Sequence, residues 1–389
     1  MLMIMKKLSA LITLSSISMA VLCAFGQSKT EAAFEKAMEE YRNSMGNVGL
    51  SVVVVKDNRI VYNHNFGYKN LETGEPVTDN TMFRIASISK SFSATSMMQL
   101  IEQGKVSLDT DVSTLAGFKI RNPKYPDIVI TLEMLMSHTS SLNDNEGYFT
   151  LDVINPEKNP DWAKCYNDYA PGKGYEYCNL NFNLTGSFIE KLSGERFDQY
   201  VVHHILDPLG LYGGYCVDSL DASRFATLYE WDGERMAPQP EAYEPRSEKI
   251  SAYRFGYDTP LFSPTGGMKI SALDLARYMM VHMNYGISPL TGVRLISEEH
   301  SRDMQRERSS DEHYGLALRR THKMTPVELV GHTGGAYGLA SAMFFSPEGK
   351  YGFVAISNGK QKSSGTPLNI HTGAVALMYK YFISGESTE

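Results

Sequence analysis

Strand-like segments lie near both ends of this 389-residue chain, and helix-like segments fill its middle. The stretch GLSVVVVKDNRIVYNHNFGYKN, which starts at Gly49, alternates as two strands about the polar turn KDNR and predicts a hairpin. Similar patterns return in LASAMFFSPEGKYGFVAISN, which starts at Leu339. We therefore expect an α/β (α+β) fold in which residues 27–104 and 310–389 build one antiparallel sheet flanked by helices. Residues 105–309 would form an inserted, mainly helical and loop-rich domain, with a cleft where the two parts meet.

Helical patterns accompany these strands. Apolar residues at helical spacing predict an amphipathic helix over residues 31–45 and a closing helix in NIHTGAVALMYKYFI. The segment SFSATSMMQLIEQGK predicts another helix, which Gly104 can end. Residues 218–262 combine charged and aromatic residues with proline, and we interpret them as a long surface loop.

The N terminus has the pattern of a signal peptide. Two lysines precede the apolar stretch LSALITLSSISMAVLCAF, and small residues follow it. We predict a signal peptide over residues 1–26 with cleavage before Gln27, and hence a periplasmic or extracellular protein. Lipid attachment at Cys23 is the alternative, although Leu22 is bulky where lipoprotein signals usually have a small residue.

Charge and motif content exclude two classes of function. The formal net charge is −7 and the chain has no long basic run, so it lacks the electrostatic footprint of a nucleic-acid-binding protein. The spacings of a zinc site are absent too, since there is no closely spaced cysteine pair and no His-Glu-x-x-His.

Three cysteines remain after the predicted signal peptide: Cys165, Cys178 and Cys216. In an oxidising compartment Cys178 could pair with either of the other two. Three unpaired, partly buried thiols are the alternative.

The segment FRIASISKSFSA places Ser87 and Lys90 three positions apart at the start of a predicted helix. A serine becomes a good nucleophile when a nearby base takes its proton, and residues i and i+3 share one helix face. Burial can lower a lysine pKa enough for that role. The spacing alone is weak evidence, because Ser357 and Lys360 repeat it across a predicted turn. Ser87 could equally cap the helix.

Two further motifs follow in order along the chain. The segment GYEYCNLNF contains Tyr177 and Asn179 in a predicted turn before a helix. The segment GHTGGAYG contains His332, Thr333 and Gly334 at the start of a predicted strand, where glycine lets a substrate backbone approach closely. Both spacings recur elsewhere, but those copies precede the serine motif or lie inside the predicted closing helix.

Taken in order, Ser-x-x-Lys, Tyr-x-Asn and His-Thr-Gly resemble the motif set of the serine β-lactamase and penicillin-binding protein superfamily. The sequence is most similar to its class C β-lactamase, DD-peptidase and esterase branch, since FRIASISKSF, LMSHTSSL and SPTGGMKISALDLARYM also look like that branch. The likeness runs from about residue 45 to the C terminus. It implies a β-lactamase/transpeptidase-like fold and acyl transfer to water through an acyl-enzyme, without metal or cofactor.

The resemblance also implies a role for the first two motifs. It makes Ser87 the acylated nucleophile, with Lys90 and Tyr177 exchanging protons with the serine and with the leaving group. Asn179 would hydrogen-bond the amide side chain of the substrate and Lys90.

The third motif would form the opposite wall of the cleft. By resemblance, His332, Thr333 and Gly334 would line it on the sheet edge. The backbone N–H groups of Ser87 and Gly335 would form the oxyanion hole, because the negative charge of a tetrahedral intermediate needs preorganised donors.

Two residues depart from the family pattern. His332 stands where class C β-lactamases usually have lysine, so a permanent positive charge for a β-lactam carboxylate is lost near neutral pH. Cys178 stands in the middle of Tyr-x-Asn, where serine is common. A disulfide there would tether the Tyr177 loop, whereas a free thiol would be oxidisable.

The function implied is an exported serine hydrolase acting on an amide or ester, such as a D-Ala-D-Ala-type carboxypeptidase or an esterase that binds β-lactams. The alternatives are an efficient β-lactamase, a serine acyltransferase and a non-catalytic ligand-sensing module of the same fold. The expected partner is a small peptide, ester or β-lactam, with a cell-wall peptide as one candidate, and the sequence does not determine the oligomeric state.

Overall fold

The computed structural model describes residues 28–360 and 369–385. The predicted signal peptide, residues 1–26, and the alternative lipid site at Cys23 lie outside the described residues. Among the described residues, no helix has the length and apolar character needed to cross a membrane.

Helices and strands follow one another along the chain as numbered below. The helices are α1 Lys29–Ser44, α2 Ser89–Glu102, α3 Val112–Ala116, α4 Leu132–Met136, α5 Asn179–Ser193, α6 Phe197–Val201, α7 Asp207–Leu209, α8 Ser247–Ile250, α9 Ala272–Met283, α10 Glu298–Gln305 and α11 Ile370–Phe382. The strands are β1 Gly49–Lys56, β2 Arg59–Asn70, β3 Glu75–Pro76, β4 Met82–Arg84, β5 Gly213–Gly214, β6 Tyr229–Trp231, β7 Met236–Pro238, β8 Lys269–Ser271, β9 Arg319–Thr321, β10 Leu329–Ala336, β11 Leu339–Ser346, β12 Tyr351–Ser357 and β13 Gly359–Lys360.

The central sheet joins the two ends of the chain, as predicted from the strand patterns. Its order is β3-β2-β1-β12-β11-β10-β9, and neighbouring strands run antiparallel. The junction is the pairing of β1 with β12, in register from Leu50 opposite Ser357 to Lys56 opposite Tyr351. The expected antiparallel sheet flanked by helices is therefore confirmed.

Both faces of the sheet are covered, which explains the uninterrupted apolar run in β1. Successive side chains of a strand point to opposite faces. Val52 and Val54 pack into an outer core with α1 and α11, whereas Val53 and Val55 pack into the inner core with α2 and α9. Helix α9 comes from the middle of the chain, so residues between 105 and 309 also help to cover the sheet.

Helix α1 begins where its sequence contains a capping box. The Ser28 hydroxyl accepts from the Glu31 N–H at 3.1 Å, and the Glu31 carboxylate accepts from the Ser28 N–H at 2.9 Å. Two backbone donors that have no partner within the helix are satisfied in this way.

The segment 218–262, predicted as a long surface loop, contains regular secondary structure. It contains the β6–β7 hairpin, and β6 pairs in parallel with β13 beside the main sheet. Tyr229 is fully buried, and its hydroxyl accepts from the Leu71 N–H at 2.8 Å. These contacts join segments far apart in sequence, so the local pattern of proline and charge could not predict them.

No disulfide joins the three described cysteines. Cys165, Cys178 and Cys216 are all free and buried, so the alternative of three unpaired thiols holds and both proposed pairings are wrong. Burial raises the pKa of the Cys165 thiol to about 12 and raises that of Cys178 as well, which keeps both protonated and unreactive.

We expect Phe34→Ala to lower the free energy of unfolding by about 3–5 kcal/mol, because the substitution leaves a cavity in the outer core. The Phe34 ring is fully buried, 5.1 Å from the rings of both Tyr62 and Phe382. Urea unfolding measures the change. Lys36→Ala in the exposed face of the same helix is the control and should change stability by less than about 0.5 kcal/mol. Equal losses in the two variants would contradict this packing.

Candidate active site

Ser87 is the one point at which a buried segment reaches the cleft. Every residue from 81 to 98 is buried except Ser87, which is half-buried. It lies in a 3₁₀ turn, Ala86–Ile88, directly before α2. Ala86 has a φ of 45°, a left-handed conformation that non-glycine residues rarely adopt and that often marks a functional turn. The sequence correctly placed Ser87 at the beginning of the helix.

Lys90 is fully buried and its amine contacts three oxygen atoms. The Nζ atom lies 3.1 Å from Ser87 Oγ, 2.9 Å from Asn179 Oδ1 and 3.0 Å from the carbonyl oxygen of Thr265. Helices α2 and α5 and the loop before β8 therefore meet at this one nitrogen.

These contacts orient the lone pair of a neutral Lys90 amine. The amide oxygen of Asn179 and the carbonyl oxygen of Thr265 can only accept hydrogen bonds. They take both N–H groups of the neutral amine, so its lone pair is left for the hydroxyl proton of Ser87. This is the geometry that a general base needs.

Burial lowers the pKa of Lys90 from 10.5 to about 7, and the carboxylate of Asp144 offsets part of the decrease. The aromatic rings of Tyr177 and Phe182 also face the amine, at 4.7 and 5.8 Å from Nζ. A substantial fraction of Lys90 is thus neutral at physiological pH.

Asp144 holds the second motif in place. Its carboxylate accepts from the backbone N–H groups of Asn179 at 2.8 Å and Leu180 at 3.0 Å, at the beginning of α5. It also accepts from the side-chain amide of Asn179 at 2.9 Å, which turns the amide oxygen toward Lys90. One carboxylate therefore caps the helix and orients Asn179.

Tyr177 faces Ser87 from a buried position. Burial raises the pKa of its phenol, and the neighbouring Ser87 hydroxyl offsets only part of the rise, so the phenol stays protonated near neutral pH. Its hydroxyl has no hydrogen-bond partner among the described residues. The His138 ring packs behind it, with ring centroids 4.4 Å apart.

His138 connects the end of helix α4 to the Tyr-x-Asn motif. Its Nδ1 accepts from the N–H of Cys178 at 3.2 Å, forty residues along the chain. It is fully buried, and burial holds its pKa well below the usual range. The neutral ring thus fixes the backbone of the Tyr-x-Asn motif.

The free edge of β10 forms the opposite wall. Strand β9 pairs only with Leu329–Gly331, so the edge from His332 onward faces the Ser87 turn. A Cβ added at Gly334 would lie 2.2 Å from the carbonyl oxygen of Ile85 and 3.1 Å from the N atom of Ser87. Only glycine permits this close approach. Gly335 is exposed beside it, as a donor to a bound oxyanion must be.

His332 lies at the beginning of that edge, with its ring centroid 6.1 Å from that of Tyr177. The side chain is buried, and its Nε2 lies 2.9 Å from the hydroxyl of Tyr314. Burial lowers its pKa to about 3, with a further decrease from the charge of Arg319. The imidazole is therefore neutral at physiological pH and buttresses the strand.

The positive charge at this edge comes from Arg319 on β9. Its Nη2 donates to Thr333 Oγ1 at 3.2 Å, and its side chain is about a quarter exposed. The nearest carboxylate ion pair, with Glu312, is long at 3.8 Å. Thr333 and Arg319 together can bind a carboxylate.

The described residues thus bring together all the residues named from the three motifs, and the ring of His332 lies 6.1 Å from that of Tyr177, centroid to centroid. Sequence reasoning missed Asp144, Thr265, Tyr314 and Arg319. Asp144 and Arg319 come from loops or edge strands with no fixed spacing to a motif, so no local signal marked them. Ser357 and Lys360, the second copy of the serine motif, do not contact each other, since the Ser357 hydroxyl accepts from Asn47 and Lys360 reaches Asn369.

Replacement of Lys90 by Met should change how stability depends on pH. Between the folded pKa of about 7 and the ordinary value of 10.5, the unfolded chain binds one more proton than the folded chain. Wild-type stability should therefore increase with pH, relative to Lys90→Met, by up to about 1.4 kcal/mol per unit between pH 8 and 10. Urea unfolding of both proteins at several pH values measures this. A difference that does not vary with pH would show an ordinary lysine pKa.

A family model described as Beta-lactamase matches residues 34–377. Among characterised proteins, penicillin-binding protein 4 of Amycolatopsis lactamdurans is 29% identical over 236 residues, which cover 58% of this chain and 56% of that protein. Esterase EstB of Burkholderia gladioli is 28% identical over 228 residues, covering 54% and 56%. The chain thus spans about half the length of these relatives.

Solved structures have the same fold. The octameric penicillin-binding protein homologue from Pyrococcus abyssi superimposes with a TM-score of 0.71 at 29% identity, covering 89% of this chain and 77% of that one. The D-amino acid amidase from Ochrobactrum anthropi SV3 gives a TM-score of 0.69 at 20% identity, covering 91% and 99%. The second likeness supports the fold alone.

Proposed function

The chain belongs to the Beta-lactamase family, and we propose on that basis that it is a serine hydrolase that cleaves an amide or ester through an acyl-enzyme. One observation carries the proposal: the amine of Lys90 lies 3.1 Å from Ser87 Oγ, with its two other contacts fixed to acceptors. A base in that position makes the serine hydroxyl a nucleophile.

The proposed reaction has two halves. Lys90 takes the proton of Ser87 as Oγ attacks the substrate carbonyl, and the N–H groups of Ser87 and Gly335 stabilise the oxyanion. The phenol of Tyr177, kept protonated by burial, donates a proton to the leaving amine or alcohol as the C–N or C–O bond breaks. These steps leave Lys90 protonated and Tyr177 as a phenolate. Water then attacks the ester carbonyl as its proton passes to the Tyr177 phenolate, and the bond from the carbonyl carbon to Oγ breaks as Lys90 returns its proton to Ser87, which releases the acid.

A carboxylate on the leaving-group side is the substrate feature that the sheet edge favours. Arg319 and Thr333 lie next to each other on that edge. We therefore propose a D-Ala-D-Ala-type carboxypeptidase acting on cell-wall peptides, with β-lactams held through the same carboxylate site. The names of the penicillin-binding relatives support this choice, whereas the esterase relative supports an ester substrate.

Arg319 changes one argument made from the sequence. The neutral His332 removes a cation from its own position, but Arg319 restores a permanent positive charge nearby. An efficient β-lactamase thus stays an alternative, as do an acyltransferase and a sensing module. From the N-terminal pattern we also propose that the protein is exported.

Ser87→Ala should abolish ester hydrolysis, lowering kcat/KM for 4-nitrophenyl hexanoate by at least about 1000-fold, because no other group forms the acyl-enzyme. Intact-mass spectrometry after adding the ester or benzylpenicillin should show an adduct on Ser87 in the wild type only. Ser357→Ala, in the second Ser-x-x-Lys copy, is the matched control and should keep the adduct. Turnover that survives in Ser87→Ala would refute the assignment. A wild type with neither adduct nor turnover would favour the sensing module, and more product with an added amine would favour the acyltransferase.

Arg319→Met should lower kcat/KM for diacetyl-Lys-D-Ala-D-Ala by about 10–100-fold, since a charge-assisted hydrogen bond to the carboxylate is lost. The rate for 4-nitrophenyl hexanoate, which has no carboxylate, should change less than about threefold. Arg320→Met is the control, because Arg320 pairs with Glu328 instead. Equal kcat/KM values for this peptide and for the same peptide with a C-terminal amide would rule out recognition of the carboxylate.

A further inference from the structure

A cavity of about 610 Å³ lies beside the Ser87 turn, and the catalytic steps proposed above do not use it. Its lining includes Arg84 from β4, Ser263 from the loop before β8, and Tyr337 from the turn after β10. The remaining wall comes from Phe149, Thr150 and the segment 241–261.

Arg84 is a buried cation without an anionic partner. It is 8% exposed and forms no salt bridge with any described carboxylate. Its Nε donates to the carbonyl oxygen of Gly266 at 2.8 Å. Its two Nη atoms reach only Ala242 O at 3.4 Å and Ser263 Oγ at 3.5 Å, which is long for N–H···O bonds. Most of its five donors are therefore available to a ligand.

The surroundings of Arg84 do not compensate its charge. Arginine stays protonated in proteins, and the neighbouring Arg246 adds a like charge. Burial of an unpaired ion is unfavourable, and an anion placed against it would offset this cost. The faces of Tyr337 and Arg84 are close, with the guanidinium carbon 5.0 Å from the ring centroid, so the ring helps to hold the guanidinium in place.

The carboxylates of the cavity wall are already paired or lie at its rim. Glu244 accepts from Arg246 at 2.7 Å and from Lys249 at 3.1 Å. Asp258 pairs with Arg254 at 2.7 Å, and Glu241 is exposed. The inner wall is therefore cationic, whereas the rim carries both signs.

Strand β10 gives the cavity its position relative to a substrate. Thr333 and Gly335 are alternate residues of β10, and Tyr337 is the first residue after the strand. A substrate whose carbonyl lies at Gly335, with its leaving group at Thr333, directs its acyl part toward Tyr337. An acyl part that extends past Tyr337 would reach the cavity that Arg84 lines.

We infer that this cavity binds a carboxylate on the acyl part of the substrate and that Arg84 is the residue that selects it. The inference rests on the proposed function, because that function defines which side of Ser87 is the acyl side. A substrate of this kind has an acidic group on each side of the cleaved bond, one toward Arg319 and one toward Arg84.

The test compares ligands that differ only in this charge, in full-length protein carrying Ser87→Ala so that none is consumed. Monomethyl adipate and monomethyl suberate carry a free carboxylate, and the dimethyl esters are their neutral counterparts. Calorimetric titration should give at least one half-ester binding about tenfold or more tighter than its diester. Adding Arg84→Gln should remove this preference, while Lys249→Gln, which removes a rim charge of the same sign, should keep it.

Each outcome decides between the assignments. Equal affinity of the half-esters and the diesters for the Ser87→Ala protein, which keeps Arg84, would overturn the inference even if Arg84→Gln does not fold. A folded Arg84→Gln protein that keeps the preference would assign Arg84 a structural role only. Inorganic phosphate that binds in an Arg84-dependent manner, without preference for the half-ester, would indicate a free-anion site instead. Hydrolysis of 4-nitrophenyl hexanoate by the wild-type protein is measured separately. Failure of the hydrolase proposal is therefore distinguishable from failure of the cavity assignment.

Discussion

The contact between the Lys90 amine and Ser87 depends on a lysine held in the protein interior, and much of the site is arranged around that constraint. A buried ammonium is costly, so the fold must either pair it or favour its neutral form. Asn179 and Thr265 supply acceptors for two N–H groups of Lys90. The carboxylate of Asp144 lies behind Asn179 and accepts from its side-chain amide. Burial outweighs the charge of Asp144 and lowers the pKa of Lys90 to about 7, which leaves the amine able both to gain and to lose a proton.

The sheet supplies the second half of the site through an incomplete strand pairing. Because β9 covers only the first part of β10, the remaining edge is free to face the serine turn. Glycine at 334 allows this edge to approach the backbone of Ile85 and Ser87. Beside this edge, His332 and Tyr314 are buried and hydrogen-bonded to each other. The cleft is thus formed by one wall from helices and one from the sheet.

The parts that sequence reasoning predicted are those with a local signal. The alternating strands of residues 49–70 and 339–358 predicted the sheet, and the three short motifs predicted which residues meet at the cleft. Contacts between distant segments had no such signal. Asp144 was missed because a carboxylate in a polar loop looks the same whether or not it caps a helix elsewhere. The β6–β7 hairpin was interpreted as loop because its stability comes from the burial of Tyr229. The hydrogen bond of His332 with Tyr314, eighteen residues earlier, had no local signal either.

The central claim is that the neutral amine of Lys90 activates Ser87, and the pH dependence of kcat/KM for a neutral ester such as 4-nitrophenyl hexanoate tests it most directly. The profile of the free enzyme reports the pKa of its essential base. We predict a rate that rises with pH and bends to a plateau at an apparent pKa of about 7, the value that burial gives Lys90. A rate that is flat from pH 5 to 9, or that keeps rising past pH 9 without a bend near 7, would contradict the account.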